Sequence, residues 1–261
     1  MSKIKIFSLG GLNENGKNMY VVNVDEDIFV FDAGLKYDND LNLGIDYIIP
    51  SFDYLIKNKK NVKGIFLTHG HESNMGAVPD ILAKLPDINI YGTKLTLTMV
   101  KNDMTKEEID RTNFKEIRPH SKIDFGKNAI FPISVTHSIP DAVCYVLYTE
   151  DGAIVYTGDF VFDSTVPSIY KTDIGKLAYV GKQGVLCLLA ESIYADKIGH
   201  TSPNNRVSGF IKEVFTNNPN RIIATVFPAH FYRVQEIFNE VSSTHRKIVI
   251  MGKSLPENIN Q

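Results

Sequence analysis

The chain has 261 residues, 43% hydrophobic, 22% charged and 10% aromatic, enough to bury a sizeable core in one large domain or two smaller ones. Disorder, collagen and coiled coil are excluded. Lys and Arg total 28 against 30 Asp and Glu, a formal net charge of -2, so no global positive field attracts nucleic acid or anionic lipid, and any such binding is local. The N-terminal residues Met1 to Lys5 lack the apolar run of a signal peptide, and no stretch approaches the roughly 18 apolar residues of a membrane span. The expectation is a cytoplasmic protein with no membrane partner. Cys144 and Cys187 lie inside apolar strand-like runs, where a small buried thiol is expected rather than a disulfide or a metal ligand.

In chain order, residues 3–9, 18–24 and 28–32 read as short strands of a β-meander. From Ser51 the rhythm changes. Candidate helices over 52–58, 77–85 and 95–101 alternate with apolar strands over 64–68 and 88–91. A second β-rich run follows, with strands over 129–135, 143–148, 153–157 and 184–189 linked by turns at Asp151-Gly152 and Gly158-Asp159. The polar stretch Gly199 to Pro203 marks a domain boundary near residue 203. Beyond it Val207, Phe210, Ile211, Val214 and Phe215 recur at helical spacing, a strand is expected over 221–227, a second helical stripe runs from Phe231 to Val241, and a second strand is expected over 247–251. An α-β-α-β series of this kind implies a parallel sheet, but two strands do not make an independent domain.

The segment Thr68-His69-Gly70-His71-Glu72-Ser73-Asn74 follows an apolar strand and precedes a helix. Histidines at i and i+2 point to opposite faces of a regular strand, so they converge on one ion only where the chain turns, which Gly70 permits. Three neutral imidazoles leave a zinc ion one open position, the arrangement of a hydrolytic site. His137 and Asp159 each lie just past an apolar strand, where an α/β scaffold presents side chains rigidly, and they complete the candidate set His69, His71, His137 and Asp159. Asp32, in Phe31-Asp32-Ala33-Gly34, reads equally as a carboxylate that orients a ligand histidine and as a turn acid. His120, His200, His230 and His245 have no comparable partners and read as surface or core histidines; the Lys57, Lys59, Lys60, Lys63 cluster reads as a solvated helix end rather than an RNA contact.

These blocks, in this order, resemble the metallo-β-lactamase superfamily, and within it the ribonuclease J group of the β-CASP branch. The resemblance rests on Gly10-Gly11, Gly16 to Tyr20, Phe31 to Gly34, Thr68 to Glu72, His137 to Asp141, Tyr156 to Phe160, Gly184 to Leu189, Tyr232 to Gln235 and Met251 to Ser254, and covers essentially the whole chain. It implies an α/β fold, the αββα sandwich of the metallo-β-lactamases over residues 1–203, followed by the start of an α/β β-CASP domain over 204–261. It also implies RNA as substrate and zinc as cofactor, with His69, His71, His137 and Asp159 as ligands, and no DNA. The family continues its histidine motif with Asp and His, which hold a second zinc; here Ser73 and Asn74 stand there, both neutral and weak ligands. No catalytic residue is therefore assigned, and one zinc at most is expected. The strands that complete the family's lactamase sheet come after the β-CASP insert, so apolar sheet surface and a strand edge are expected to be left for another chain or a second copy to cover, unless the sequence is part of a longer protein.

Three functions remain in competition. The first is a weakly active or inactive ribonuclease J-like protein of RNA processing and decay, serving as accessory partner to an intact paralogue. The second is a residual one-zinc hydrolase of RNA or a small ester. The third is a metal-free scaffold that binds RNA or protein.

Overall fold

The structure is a computed structural model that describes residues 1–38, 44–199 and 205–259. Its first half builds a six-stranded sheet in sequential order from β1 (Ile4–Gly10), β2 (Met19–Val24), β3 (Asp27–Phe31), β4 (Val62–Phe66), β5 (Asn89–Gly92) and β6 (Asn113–Glu116). The first three strands pair antiparallel, as a meander, and the last three add in parallel. Parallel neighbours need crossovers, and these carry α1 (Asp53–Lys57), α2 (Glu72–Met75), α3 (Val78–Lys84), α4 (Lys94–Asn102) and α5 (Lys106–Arg111). A second sheet has the spatial order β11-β10-β9-β8-β7, from β7 (Ile123–Phe125), β8 (Asn128–Ser134), β9 (Val143–Thr149), β10 (Gly152–Tyr156) and β11 (Val185–Leu189). It is antiparallel except for the β10–β11 pair, whose crossover holds α6 (Ile174–Gln183).

Alternation along single strands explains the layers. In β3, Ile28 and Val30 pack with Leu55, Ile81 and Val100 of the crossover helices, whereas Phe29 and Phe31 face the second sheet. In β9, Val143, Tyr145 and Leu147 face the first sheet while Cys144 and Val146 pack beneath Val180 and Leu177 of α6. Two sheets apolar on both faces must be covered on both sides, and the result is the αββα sandwich expected from the sequence. The inter-sheet layer is aromatic: Phe31 stacks on Tyr156 at 5.4 Å between centroids, and Phe66 on Tyr91 at 4.6 Å.

Coverage is incomplete at one corner. Among the described residues β11 is hydrogen-bonded only to β10, and Leu186 and Leu188 are 53% and 60% exposed. Cys144 is buried and Cys187 half-buried, both as free thiols.

The region after 204 departs from the sequence reading. α7 (Asn205–Asn217) and α8 (Phe231–Ser242) form and pack on each other, followed by α9 (Ser254–Ile259). The strands expected over 221–227 and 247–251 do not form. Each is an apolar run without a paired neighbour, and a strand's backbone groups require one; Ile223, Val249 and Met251 lie exposed. The boundary expected near residue 203, and His200, fall outside the described residues. Among the described residues no helix is long and apolar enough to cross a membrane.

Candidate metal centre

β3 and β4 run parallel, as do β8 and β10 on either side of β9. Their C-terminal ends therefore open on one edge of the sandwich, and each gives way to a chemistry-bearing loop: Asp32 after β3, His69 and His71 after β4, His137 after β8 and Asp159 after β10. One ligand atom from each of His69, His71, His137 and Asp159 lies within 4.8 Å of all the others. His71 Nδ1 is 3.1 Å from His69 Nε2 and 3.1 Å from His137 Nε2, and Asp159 Oδ2 is 3.7 Å from His69 Nε2.

The proton on His69 is placed by its outer partners. Asp32 is buried and accepts hydrogen bonds from the Thr68 backbone N–H (2.8 Å), Thr68 Oγ1 (2.9 Å), Asn74 Nδ2 (2.8 Å) and Tyr156 Oη (2.9 Å). With its own proton committed to Asp32, Thr68 Oγ1 can only accept from His69 Nδ1, 2.9 Å away. This leaves the Nε2 lone pair of His69 aimed into the cluster. Asp32 thus acts on His69 through Thr68 rather than by direct contact. The far nitrogen of His71 is turned the other way, with Ser138 Oγ 3.4 Å from Nε2 and a hydrogen bond to the Ala229 backbone.

Burial decides the ionisation. It lowers His69 well below the ordinary histidine range, His71 to about 4 and His137 to about 3, with neighbouring imidazoles adding to the shift at His69 and His137. Burial raises Asp159 to about 6 and Asp32 to about 7, the hydrogen bonds to Asp32 opposing the rise. At neutral pH the three imidazoles are therefore uncharged and bring ring nitrogens within contact of each other, an arrangement that a cation can bridge. Bonds of about 2.0–2.1 Å to a tetrahedral zinc put ligand nitrogens roughly 3.3 Å apart, close to the observed spacing. The donor set fits one such ion.

Ser73 and Asn74 are arranged differently. Ser73 Oγ donates to Asn74 Oδ1 at 2.6 Å, Asn18 Nδ2 approaches the same oxygen at 3.4 Å, and the Asn74 amide donates to Asp32. Both ends of the buried amide are engaged within the protein, which leaves a second ion only the neutral Ser73 hydroxyl oxygen of this pair, a weak ligand.

Two glycines set the local path. The chain bends at His69 and Gly70 as expected, without a left-handed φ at Gly70; a Cβ there would lie 2.5 Å from Met99 Sδ and 3.1 Å from Ile139 Cδ1, two side-chain ends that would have to move to admit it. Gly34 admits the Ser73 carbonyl, which a Cβ would meet at 1.6 Å.

The sequence reading missed several groups around this centre. Thr68 and Ser138 flank the histidines in sequence and could have been flagged by adjacency. Lys36, Tyr37 and Phe227 line the same cleft of about 590 Å³ as His71, His137 and Asp159, and nothing local signals the arrival of Phe227 from a distant segment. His230, read as an unpartnered histidine, is half-buried next to His71 and His137 and caps α8, its Nδ1 accepting from the Arg233 N–H at 3.2 Å. Glu191 accepts from the Phe160 N–H at 3.0 Å, beside Asp159, and is raised to about 7 by burial. His120 also has a partner, Asp173 at 3.2 Å. His245 is exposed. Lys57, Lys59 and Lys60 are exposed as expected, while Lys63 pairs with Asp27 at 2.8 Å.

Residues 12–193 match the Metallo-beta-lactamase superfamily, and the chain belongs to that superfamily. The resemblance to ribonuclease J holds as well: the chain is 39% identical to Ribonuclease J 2 of Staphylococcus aureus (strain MRSA252) and 38% identical to Ribonuclease J 2 of Staphylococcus saprophyticus, in each case over 98% of its own length. It spans 46% of the length of these relatives. A crystal structure of a protein of unknown function from Enterococcus faecalis V583 superposes over 91% of this chain and 63% of its own, with a TM-score of 0.69 at 18% identity, and shares the fold.

Proposed function

We propose that the chain is a ribonuclease J-like protein of RNA processing and decay, cytoplasmic, with one zinc held by His69, His71, His137 and Asp159 and with weak or absent hydrolysis of RNA. The observation that carries this reading is the convergence of those four donors beside an Asn74 amide already bound to Asp32. When bound, the ion supplies a Lewis acid and acidifies a water. The protein's part is to keep three imidazoles neutral, to hold His69 in one tautomer through Thr68 and Asp32, and to offer Asp159 as a carboxylate above about pH 6. Losing the second ion and an Asp at position 73 removes two preorganised electrostatic contacts, and at about 3 kcal/mol each the chemical step slows by roughly four orders of magnitude. Residues 1–203 then form the lactamase unit and 204–261 the beginning of a β-CASP unit, and the role is that of accessory partner to an intact paralogue, with a further chain or a second copy on the open β11 corner.

The test is zinc stoichiometry together with decay of 5′-monophosphorylated RNA. One zinc per chain, lost in His69→Ala, with decay near background is the expected result. Decay at rates typical of an intact two-zinc enzyme, or two ions per chain, refutes it. The Ser73→Asp, Asn74→His double variant is expected to gain a second zinc. A one-zinc chain that cleaves small phosphodiesters but ignores RNA would favour a residual small-ester hydrolase, and a chain that binds RNA without any metal would favour a scaffold.

A further inference from the structure

The outer face of the second sheet carries a depression that the candidate metal centre does not use. α6 covers β9 and β10 through Leu177 and Val180, but Phe131 of β8 and Tyr148 of β9 are left half-buried beside it. Together with Lys122, Lys176, Tyr179 and Val180 they line a cavity of about 210 Å³. β9 runs against β8 and β10, so Tyr148, near the end of β9, lies toward the end of the sheet away from His137 and Asp159.

The chemistry of this lining is one-sided. Its floor is apolar and aromatic, from Phe131, Tyr148 and Val180. His120 stacks on Phe131 at 6.2 Å between centroids, and Asp173 lies 3.2 Å from that imidazole while accepting from the Lys176 N–H at 2.9 Å, which ties the aromatic floor to the start of α6. The polar groups are donors: the ammoniums of Lys122 and Lys176 and the hydroxyls of Tyr148 and Tyr179. The Tyr179 oxygen accepts from Gln183 Nε2 at 2.8 Å, which leaves its own hydrogen to point elsewhere. Burial raises Tyr148 above the ordinary phenol range, so its hydroxyl keeps its proton at neutral pH. Among the described residues no carboxylate lines the cavity. Asp124 pairs with Lys122 at 2.6 Å, but both side chains are more than half exposed, and such a pair competes weakly with a ligand.

Four donors around an aromatic floor, with no acidic group in the lining, call for an anion with a flat apolar body. Cavities for drug-sized ligands hold about 300–1,000 Å³. At about 210 Å³ there is room for one ring and its acidic group, and not for base, sugar and phosphate together. We propose that this depression binds a small aromatic carboxylate, its ring on Phe131 and Tyr148 and its acid meeting Lys122 and Lys176. The site is independent of the RNA reading above. An occupant bridges α6 to β8 and stabilises the fold that it binds.

Benzoate is the probe, followed by ligand-observed NMR and by thermal unfolding of the whole chain. A dissociation constant of about 1 mM is the scale for so few atoms, and about 10 mM benzoate is then expected to raise the unfolding midpoint by about 3 °C. Lys122→Ala with Lys176→Ala, two exposed positions, is expected to weaken binding about tenfold. Phe131→Leu, which keeps apolar bulk without a ring, is expected to weaken it about fivefold. Benzamidine, of the same shape and opposite charge, is expected not to bind, and prior treatment with a chelator is expected to change nothing, which separates this site from a carboxylate held by a metal. No benzoate signal at about 10 mM, wild-type affinity in the lysine double variant, or equal affinity for benzamidine overturns the inference. Sulfate that displaces benzoate at equal concentration would show that charge alone is bound, and overturns it too.

Discussion

Thr68 is the side chain through which a buried acid orients a candidate metal ligand. Its hydroxyl is spent on Asp32 and accepts from His69 Nδ1, so Thr68→Val breaks the link without touching any of the four donors. Zinc affinity measured by isothermal titration is expected to fall about tenfold, the usual cost of removing a group that orients a ligand; unchanged affinity would mean that packing alone fixes the ring. The pH dependence of the same affinity has a worked sign. His71 and His137, lowered to about 4 and 3, are already neutral at pH 5 and take up no protons in competition with zinc. Asp159, raised to about 6, is protonated below that pH. Affinity is therefore expected to fall from about pH 6 to pH 4 with a slope near one proton per ion, and competition titrations that show three protons would contradict the neutral cluster.

At the scale of elements, the loop after β3 and the turn into α2 are locked by backbone contacts. Ala33 N–H donates to the Asn74 carbonyl at 2.7 Å, Leu35 N–H to Glu72 at 2.8 Å and Asn18 N–H to Ser73 at 3.0 Å. Gly34 sits where these strands of backbone touch, with the Ser73 carbonyl in the place of a side chain. Neither partner is a flexible side-chain end, so Gly34→Ala is expected to cost about 3 kcal/mol or more in urea unfolding and to lower zinc affinity through the displaced α2 turn. The sequence told little of this lock. It told more of the sandwich, because the strands there are apolar runs bounded by turn residues: all twelve of the strands and helices read before residue 190 fall on observed elements within a few residues. What it missed is mostly short or polar, as with β6 (NFKE), β7 (IDF) and α5, although the Thr105 and Glu108 capping box of α5 was visible as Thr-x-x-Glu; α6, ten residues long with Leu177 and Val180 on its packed face, was missed as well. What it over-read, residues 221–227 and 247–251, has strand composition but no neighbouring strand, and pairing is a tertiary fact that composition does not contain. The candidate cluster was legible because each member follows a strand; Phe227 and His230 were not, because only the fold carries them beside it.

For the whole molecule the decisive feature is the β11 corner. α6 covers the outer face of β9 and β10 through Leu177 and Val180, but the same face of β11 presents Leu186 and Leu188 to solvent, and one row of its backbone groups has no partner among the described residues. Hydrophobic side chains on an open edge template association, and the apolar area favours burial at about 25 cal/mol per Å². The isolated chain is therefore expected to self-associate at micromolar concentration in sedimentation velocity. Replacing both leucines with charge, Leu186→Lys with Leu188→Glu, leaves the inward-facing Cys187 and Leu189 in place. That double variant is expected to sediment as a monomer with zinc stoichiometry unchanged, since the metal-ligating candidates lie in the loops after β4, β8 and β10 rather than on β11. A wild-type chain that is monomeric at every concentration and binds no hydrophobic dye would show that this corner needs no cover, and the proposed partner would then have to be sought at another surface.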